Sequence, residues 1–276
     1  MVSYEKKFVL FIDILGFKEL IKDNSADFIF DVLSIFKKSI EECNFVDISL
    51  SRSSNQGFCD INIDNNGDIE HGKIIGDDVQ ITSFSDNIVI TINNNVDVLS
   101  VLQYIATVQE AFLKENISKE ITIRGGLTIG EIYHQENIVF GPALNDAYEL
   151  ESKKARYSRI MLSKEFTSIN TTFSQYFIKD KEEDECSYFD FIKFHLENFG
   201  IDEEFQISLV SAIAELDKQS KKVQKLHETK ENEEIIEKTK WLKEYLTQGL
   251  DAFNKLIAKH EQNRVSRINE CLAISY

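Results

Sequence analysis

Proline occurs once in the 276 residues, which excludes Pro-rich linkers and extended arms. Cysteine is scarce too. Cys43, Cys59, Cys186 and Cys271 lie far apart with no C-x-x-C pair, the pattern of reduced thiols rather than of a disulfide frame or a zinc site. The five histidines (His71, His134, His195, His227, His260) form no cluster, so neither zinc nor Ser-His catalysis finds support. Positive charge is short: 31 Lys and Arg stand against 47 Asp and Glu, for a net charge of −16. Such a surface repels phosphate backbones and anionic bilayers, so no nucleic-acid or membrane partner is expected. Long apolar runs are also missing. "EKKFVLFIDILGF" mimics a signal peptide, but Asp13 breaks it, no small-residue cleavage site follows, and it is too short to span a bilayer. The expected location is cytoplasmic.

What remains is ample core material, 42% hydrophobic with 20 Phe. Residues 7–14 are apolar on both faces, which predicts a central, doubly buried strand. "GF" at 16–17 turns the chain, and a helix capped by Ser25 follows over 25–42. "VQITSFSDNIVITI", 79–92, reads as two strands meeting near Ser85-Asp86-Asn87, and 96–115 as a helix. "ITIRGGLTIGEIYH", 121–134, reads as a strand, a Gly-weakened bend and a second strand. "GPALNDAYELESKKA", 141–155, starts a helix with Pro142 in its first turn, and 158–163 is a short strand.

The expected fold is therefore α+β: a ferredoxin-like, mostly antiparallel sheet with helices packed on it, and a helical C-terminal extension. The expected domains are residues 1–165, carrying a polar hairpin insertion at 45–76, and residues 166–276. From about 186 the pattern is helical, ending in a long helix over 229–262 with Leu242, Leu246, Leu250, Phe253 and Ile257 at three- and four-residue steps. Within the insertion, Asn62, Asp64, Asn66 and Gly67 keep step with a calcium loop, but Lys73 stands where its last Glu belongs.

Asp13 is the anomaly. An unpaired carboxylate in a dry core costs several kcal/mol or gives up its charge. Asp86 sits at a hairpin corner between apolar strands, and in a ferredoxin-like sheet that hairpin neighbours the first strand. The two acids can converge at one rim, where they repel unless a divalent metal relieves them. Metals bridging such acids clamp the attacking and leaving oxygens of a phosphoryl displacement. The adjacent turn "ILGF" offers backbone N–H groups to phosphate oxygens. The plain alternative, above all for Asp86, is a capped turn residue at the surface.

"FIDILGF", "FSDNIVI", "RGGLTIGEI" and "GPALNDAYELE" resemble, in order and spacing over residues 7–163, the class III nucleotide cyclase catalytic domain. The resemblance implies that Asp13, Asp86 and the Ile14 carbonyl hold two Mn²⁺ or Mg²⁺ ions per site. It implies that Phe17, Thr82, Ile138 and Asn145 line the nucleotide. It also implies a head-to-tail homodimer whose sites draw on both chains, and attack of the ribose 3′-OH on the α-phosphate with loss of pyrophosphate. Adenine-reading cyclases carry Lys and Asp where this chain has Thr82 and Ile138, and guanine-reading ones an acid in place of Thr82, so neither purine edge has its partner. "YELE", "ARYSRI" and the C-terminal "KTKWLKEYL" are similar to the Pycsar antiphage cyclases. That resemblance implies a pyrimidine nucleoside triphosphate substrate, UTP ahead of CTP, with cyclic UMP or cyclic CMP as a defence signal. Glu149 stands where cyclases commonly place a transition-state Arg. Arg124 is the first candidate to replace it, or else a structural Arg paired with an acid, with Lys153, Lys154 and Arg156 further candidates. Two alternatives stay open: a degenerate cyclase-like module that binds nucleotide or dimerises, and a purine cyclase with a non-standard pocket.

Overall fold

A computed structural model describes residues 2–43, 78–115, 121–180, 186–224 and 230–273. The polar hairpin at 45–76 and the calcium-like loop within it lie outside the described residues. The chain folds as two compact units, Met1–Phe194 and His195–Tyr276.

The first unit is built on β1 (Glu5–Leu15), whose residues 7–13 are all buried. It pairs antiparallel with β3 (Asn87–Asn93) on one side and β4 (Thr122–Gln135) on the other. β2 (Val79–Phe84) closes the hairpin with β3. Beyond β4 come β6 (Ile160–Leu162), parallel to it, then β8 (Ser187–Phe189) and β7 (Phe177–Lys179), while β5 (Ile138–Phe140) folds back on β4. The fold is thus α+β with a mostly antiparallel sheet.

The helices of this unit are α1 (Phe17–Asp23), α2 (Ala26–Cys43), α3 (Val98–Glu115), α4 (Pro142–Glu149), α5 (Lys164–Ile169) and α6, which begins at Phe191. Ser25 caps α2 by accepting from the Phe28 N–H at 3.3 Å. The turn read at 16–17 is Gly16 alone, held at φ +83°, and Phe17 already opens α1.

Strand periodicity sorts the side chains onto two faces. Val9 and Phe11 join Val89, Ile132, Ala143 and Ala147 in one buried cluster, so α4 lies on this face. Asp13, two residues past Phe11, shares it. By the same period so do Thr82 and Phe84 of β2, Asn87 and Thr91 of β3, and Arg124, Gly126, Gly130 and His134 of β4. The other face, Phe8, Leu10, Ile12 and Ile14, is also buried. Phe166 of α5 meets Phe8 edge-on at 6.1 Å there.

The glycine doublet does not bend the chain. β4 is one 14-residue strand, and Gly125 and Gly126 are there because other atoms come close. A Cβ on Gly126 would lie 2.3 Å from the Ala147 carbonyl oxygen, and one on Gly125 would lie 2.4 Å from that of Phe11. The helical pattern read from residue 186 likewise opens with a strand. Tyr188 pairs with Met161 and Ile178, so this segment extends the sheet before α6.

In the second unit α7 (Glu203–Gln224) and α8 (Lys230–Ala273) form an antiparallel hairpin, as the Asp217–Lys243 ion pair and the 3.0 Å Gln206–Asn254 hydrogen bond show. Leu242, Leu246 and Phe253 of α8 are buried, as are Phe205, Leu209, Ala212 and Leu216 of α7. The long helix therefore packs on its own chain, and runs past the 229–262 read from the sequence. No described helix is long and apolar enough to cross a membrane.

Candidate functional site

Three strands bring the acidic site together. Asp13 stands opposite Asn87 of β3 and opposite Arg124 of β4. Asp86 precedes Asn87 in the tight β2–β3 turn, where Ser85 takes φ +56°. The Asp86 carbonyl accepts from the Ile14 N–H at 3.3 Å, and its Oδ1 accepts from Asn87 Nδ2 at 3.2 Å. The turn is thereby pinned to β1, which brings the Asp86 carboxyl, 73 positions away by its number, beside that of Asp13. Asp13 is 9% exposed and Asp86 half-buried.

Arg124 closes the site from β4. Its Nε and Nη2 donate to Asp13 Oδ2 at 3.2 and 3.1 Å, and its Nη1 donates to the Ala155 carbonyl at 3.3 Å. Nη2 also lies 2.7 Å from Glu151 Oε1, an ion pair that lacks hydrogen-bond alignment. Glu151 is the buried acid that the sequence reading missed. Its side chain is 3% exposed. It follows Ala143 and Ala147 at four-residue spacing, so the buried stripe of α4 ends in a carboxylate. α4 widens there into a π turn, Leu150–Lys154, closed by the Ala155 N–H on the Leu150 carbonyl at 2.9 Å. Such turns concentrate at functional sites. The available signal was the Ala-x-x-x-Ala-x-x-x-Glu spacing opposite a Gly-x-x-x-Gly strand.

Burial is the main cause that pushes the Asp13 carboxyl up to about 7, with the Glu151 charge and the Asp86 hydrogen bond adding to it and Arg124 opposing them. Glu151 is also raised, first by burial, with Arg124 pulling it down.

The other sequence candidates are placed differently. Thr82 is 8% exposed and its hydroxyl is committed within the fold. It donates to the Glu136 carbonyl at 2.9 Å and meets His134 Nε2 at 2.8 Å, while Thr91 Oγ1 meets His134 Nδ1 at 2.8 Å. With its one proton on Glu136, Thr82 must accept from Nε2–H, so His134 is the neutral Nε2–H tautomer with Nδ1 accepting from Thr91. Ile138 is 60% exposed on β5, Phe17 is buried at the start of α1, and Asn145 is exposed on α4. Glu149 is 61% exposed and pairs with Lys153 at 2.9 Å, and the Arg156 guanidinium lies over the Tyr157 ring at 5.5 Å. The structure thus joins Asp13, Asp86 and Arg124, adds Glu151, and sets Thr82 in a separate buried network beside the β4–β5 turn.

That network makes a pH prediction. Burial first, and the Lys7 charge second, hold His134 down to about 4 from 6.5. The unfolded chain takes up this proton below 6.5 while the folded chain refuses it until about 4, so stability falls as pH drops through that window. The loss amounts to about 3 kcal/mol by pH 4. Urea unfolding from pH 7.5 to 4.5 should show this loss, and His134→Gln should remove this part of the slope. An unchanged slope in the variant would locate the acid sensitivity elsewhere.

Among the described residues, no group of three or more His, Cys, Asp or Glu side chains is arranged to hold a metal ion. The Asp13–Asp86 pair still fits one. Mg²⁺-type ions commonly use one or two carboxylates and take their remaining oxygens from water and substrate phosphates. Two facing carboxyl groups, one pushed toward neutrality by its surroundings, are a donor set that a hard divalent cation relieves.

No family model and no curated protein matches the chain. Solved structures with a similar arrangement include the monomeric guanylyl cyclase domain of a RhoGC fusion protein from the aquatic fungus Blastocladiella emersonii, at 15% identity and TM-score 0.42, covering 68% of this chain and 95% of that one. An adenylate/guanylate cyclase/hydrolase from Silicibacter pomeroyi matches at 16% identity and TM-score 0.41, covering 67% and 95%. A bacterial light-regulated adenylyl cyclase matches at 13% identity and TM-score 0.42, covering 74% and 100%. With TM-scores below 0.5, these likenesses decide nothing about activity.

Proposed function

We propose that the chain is a metal-dependent nucleotide cyclase that converts a pyrimidine nucleoside triphosphate to its 3′,5′-cyclic monophosphate and pyrophosphate, UTP ahead of CTP, as an antiphage signal. The observation that carries this is the Asp13–Asp86 carboxyl pair at the sheet rim. Residues 1–165 form its catalytic part in this reading. Asp13, Asp86 and the Ile14 carbonyl would hold the divalent ions, which when bound withdraw charge from the triphosphate and make the ribose 3′-OH more acidic. The chain's own groups do the positioning. Arg124 fixes Asp13 through Oδ2, and the Ile14–Asp86 bond keeps the hairpin turn against β1. Asn145, exposed on α4, orients a nucleotide in the site shared with the second copy of a homodimer. Phe17 and Ile138 flank the nucleotide in this reading. Base choice rests on what is missing. Thr82 has no free proton for a base edge and Ile138 no polar group, so neither purine finds its usual partner.

The test is incubation with each of the four ribonucleoside triphosphates and Mn²⁺. Cyclic UMP or cyclic CMP with stoichiometric pyrophosphate is the expected result. A product from ATP or GTP alone would establish the purine reading, and no cyclic product from any of the four would overturn the activity.

A second reading, a nucleotide-binding module without turnover, draws on Arg124. The guanidinium is engaged by Asp13, Glu151 and Ala155, and Glu149 holds the position where a transition-state cation usually stands. Calorimetry showing tight triphosphate binding without turnover would favour it.

A further inference from the structure

Glu151 has a use that the cyclase reading does not assign. Arg124 delivers both Nε and Nη2 to one oxygen of Asp13, Oδ2, leaving Oδ1 outside this contact. A guanidinium with Asp13 as its sole acid would cancel the charge it orients. Glu151 supplies a second acid at 2.7 Å from the same Nη2. Its side chain is 3% exposed, so water cannot substitute for Arg124 as its partner. Ala143 and Ala147 seat α4 on Gly130 and Gly126, and the π turn directs Glu151 at the guanidinium from there. With all groups ionised, Asp13, Asp86 and Glu151 set three negative charges against the one positive charge of Arg124, and losing Glu151 would halve the net negative charge offered to a divalent cation.

We propose that Glu151 is a positioning residue: as counter-charge to Arg124, it lets the guanidinium orient Asp13 without neutralising the carboxylate that faces Asp86. This rests on the cyclase reading in one respect, that Asp13 and Asp86 hold the cation. Glu151 does not touch the ion or the nucleotide. It acts through Arg124 and, by its charge, directly on Asp13, so only the part carried by Arg124 disappears when Arg124 is absent. Partners standing behind metal ligands commonly change metal affinity by roughly 10–100-fold when removed.

The experiment is Mn²⁺ titration of the nucleotide-free full-length protein, followed by the electron paramagnetic resonance signal of free Mn²⁺. Glu151→Gln is expected to weaken binding by roughly 10–100-fold with an unchanged circular dichroism spectrum. Glu151→Asp, which keeps the charge and has a better chance of folding, should lie between that variant and the parent. In an Arg124→Gln background the Glu151→Gln change should weaken affinity by a smaller factor than in the parent, because the charge it offsets is gone and only its direct effect on Asp13 remains. Affinity of Glu151→Gln equal to that of the parent would overturn the proposal, as would a loss in Glu151→Asp as large as in Glu151→Gln, or an equal loss in both backgrounds. The cyclase reading fails separately. If Asp86→Asn binds Mn²⁺ as the parent does, the metal pair is wrong and this role falls with it. If Asp86→Asn loses binding but the Glu151 variants do not, only this role is wrong.

Discussion

Asp86→Asn is expected to lower nucleotide cyclisation by roughly a thousandfold or more, on the scale of several kcal/mol of charge stabilisation at about 1.4 kcal/mol per decade. The same change should leave the metal-free protein at least as stable as the parent. Without a cation, Asp86 places a second carboxyl against a buried one, and that contact helps hold Asp13 up near 7. An Asn at this position keeps the turn and offers an amide N–H to the Asp13 carboxylate. Replacing an acid–acid contact by a charge-assisted hydrogen bond is worth about 1 kcal/mol. In a fold of this size that corresponds to a rise of about 2–4 °C in Tm. Asp13→Asn should lose activity equally and lose stability as well, since it removes the carboxylate charge on which Nε and Nη2 of a partly buried Arg124 converge at Oδ2. Initial rates with UTP and Mn²⁺, and thermal unfolding in EDTA, measure both quantities. Activity of Asp86→Asn within tenfold of the parent, or a lower Tm in EDTA, would contradict a site built around this pair.

Why Asp13 could be read from the sequence and Glu151 could not is a matter of local contrast. A charge in the middle of "FVLFIDILGF" conflicts with every neighbour, and the conflict is visible without coordinates. Asp86 was visible because "SFSDNIVI" marks a hairpin corner, and the first strand's neighbours follow from the α+β order. Glu151 sits in "YELESKK", among other acids and lysines on a helix, where nothing local sets it apart. Only the placement of α4 on β4 makes it a buried residue. The glycine doublet was misread for a related reason. A strand glycine weakens the strand locally, but here its function is to let another backbone approach, and that backbone comes from distant segments. His134 lies 52 positions from Thr82 and 43 from Thr91, so the network that occupies Thr82's hydroxyl is purely tertiary. The long C-terminal helix was legible because its apolar stripe is periodic, and its partner α7 carries a matching one.

Gly126→Ala should be among the most damaging single-methyl additions in the described fold. The added Cβ would lie 2.3 Å from the Ala147 carbonyl oxygen, 2.6 Å from Leu150 Cβ and 3.1 Å from the Glu151 nitrogen. The nearest and third of these are backbone atoms of α4 and its π turn, which cannot rotate away as a side chain can. Either the helix lifts from the sheet or β4 shifts against β1, whose Asp13 and Arg124 pair depends on the same strands. Overpacking of this kind costs about 3 kcal/mol, a Tm lower by about 10 °C. Gly130→Ala is the matched control four residues along the same face. Its Cβ would meet Ala143 alone, the Cβ at 3.1 Å and the Cα at an ordinary 3.8 Å, a contact relieved by a shift of a few tenths of an ångström. It should cost less than about 1 kcal/mol. The two variants add the same methyl to the same strand, so propensity and chain entropy cancel between them and the difference isolates the approach of α4. Urea unfolding of both would measure it. Equal losses would mean that α4 does not press on Gly126 as described, and the route by which the π turn delivers Glu151 to Arg124 would go with it.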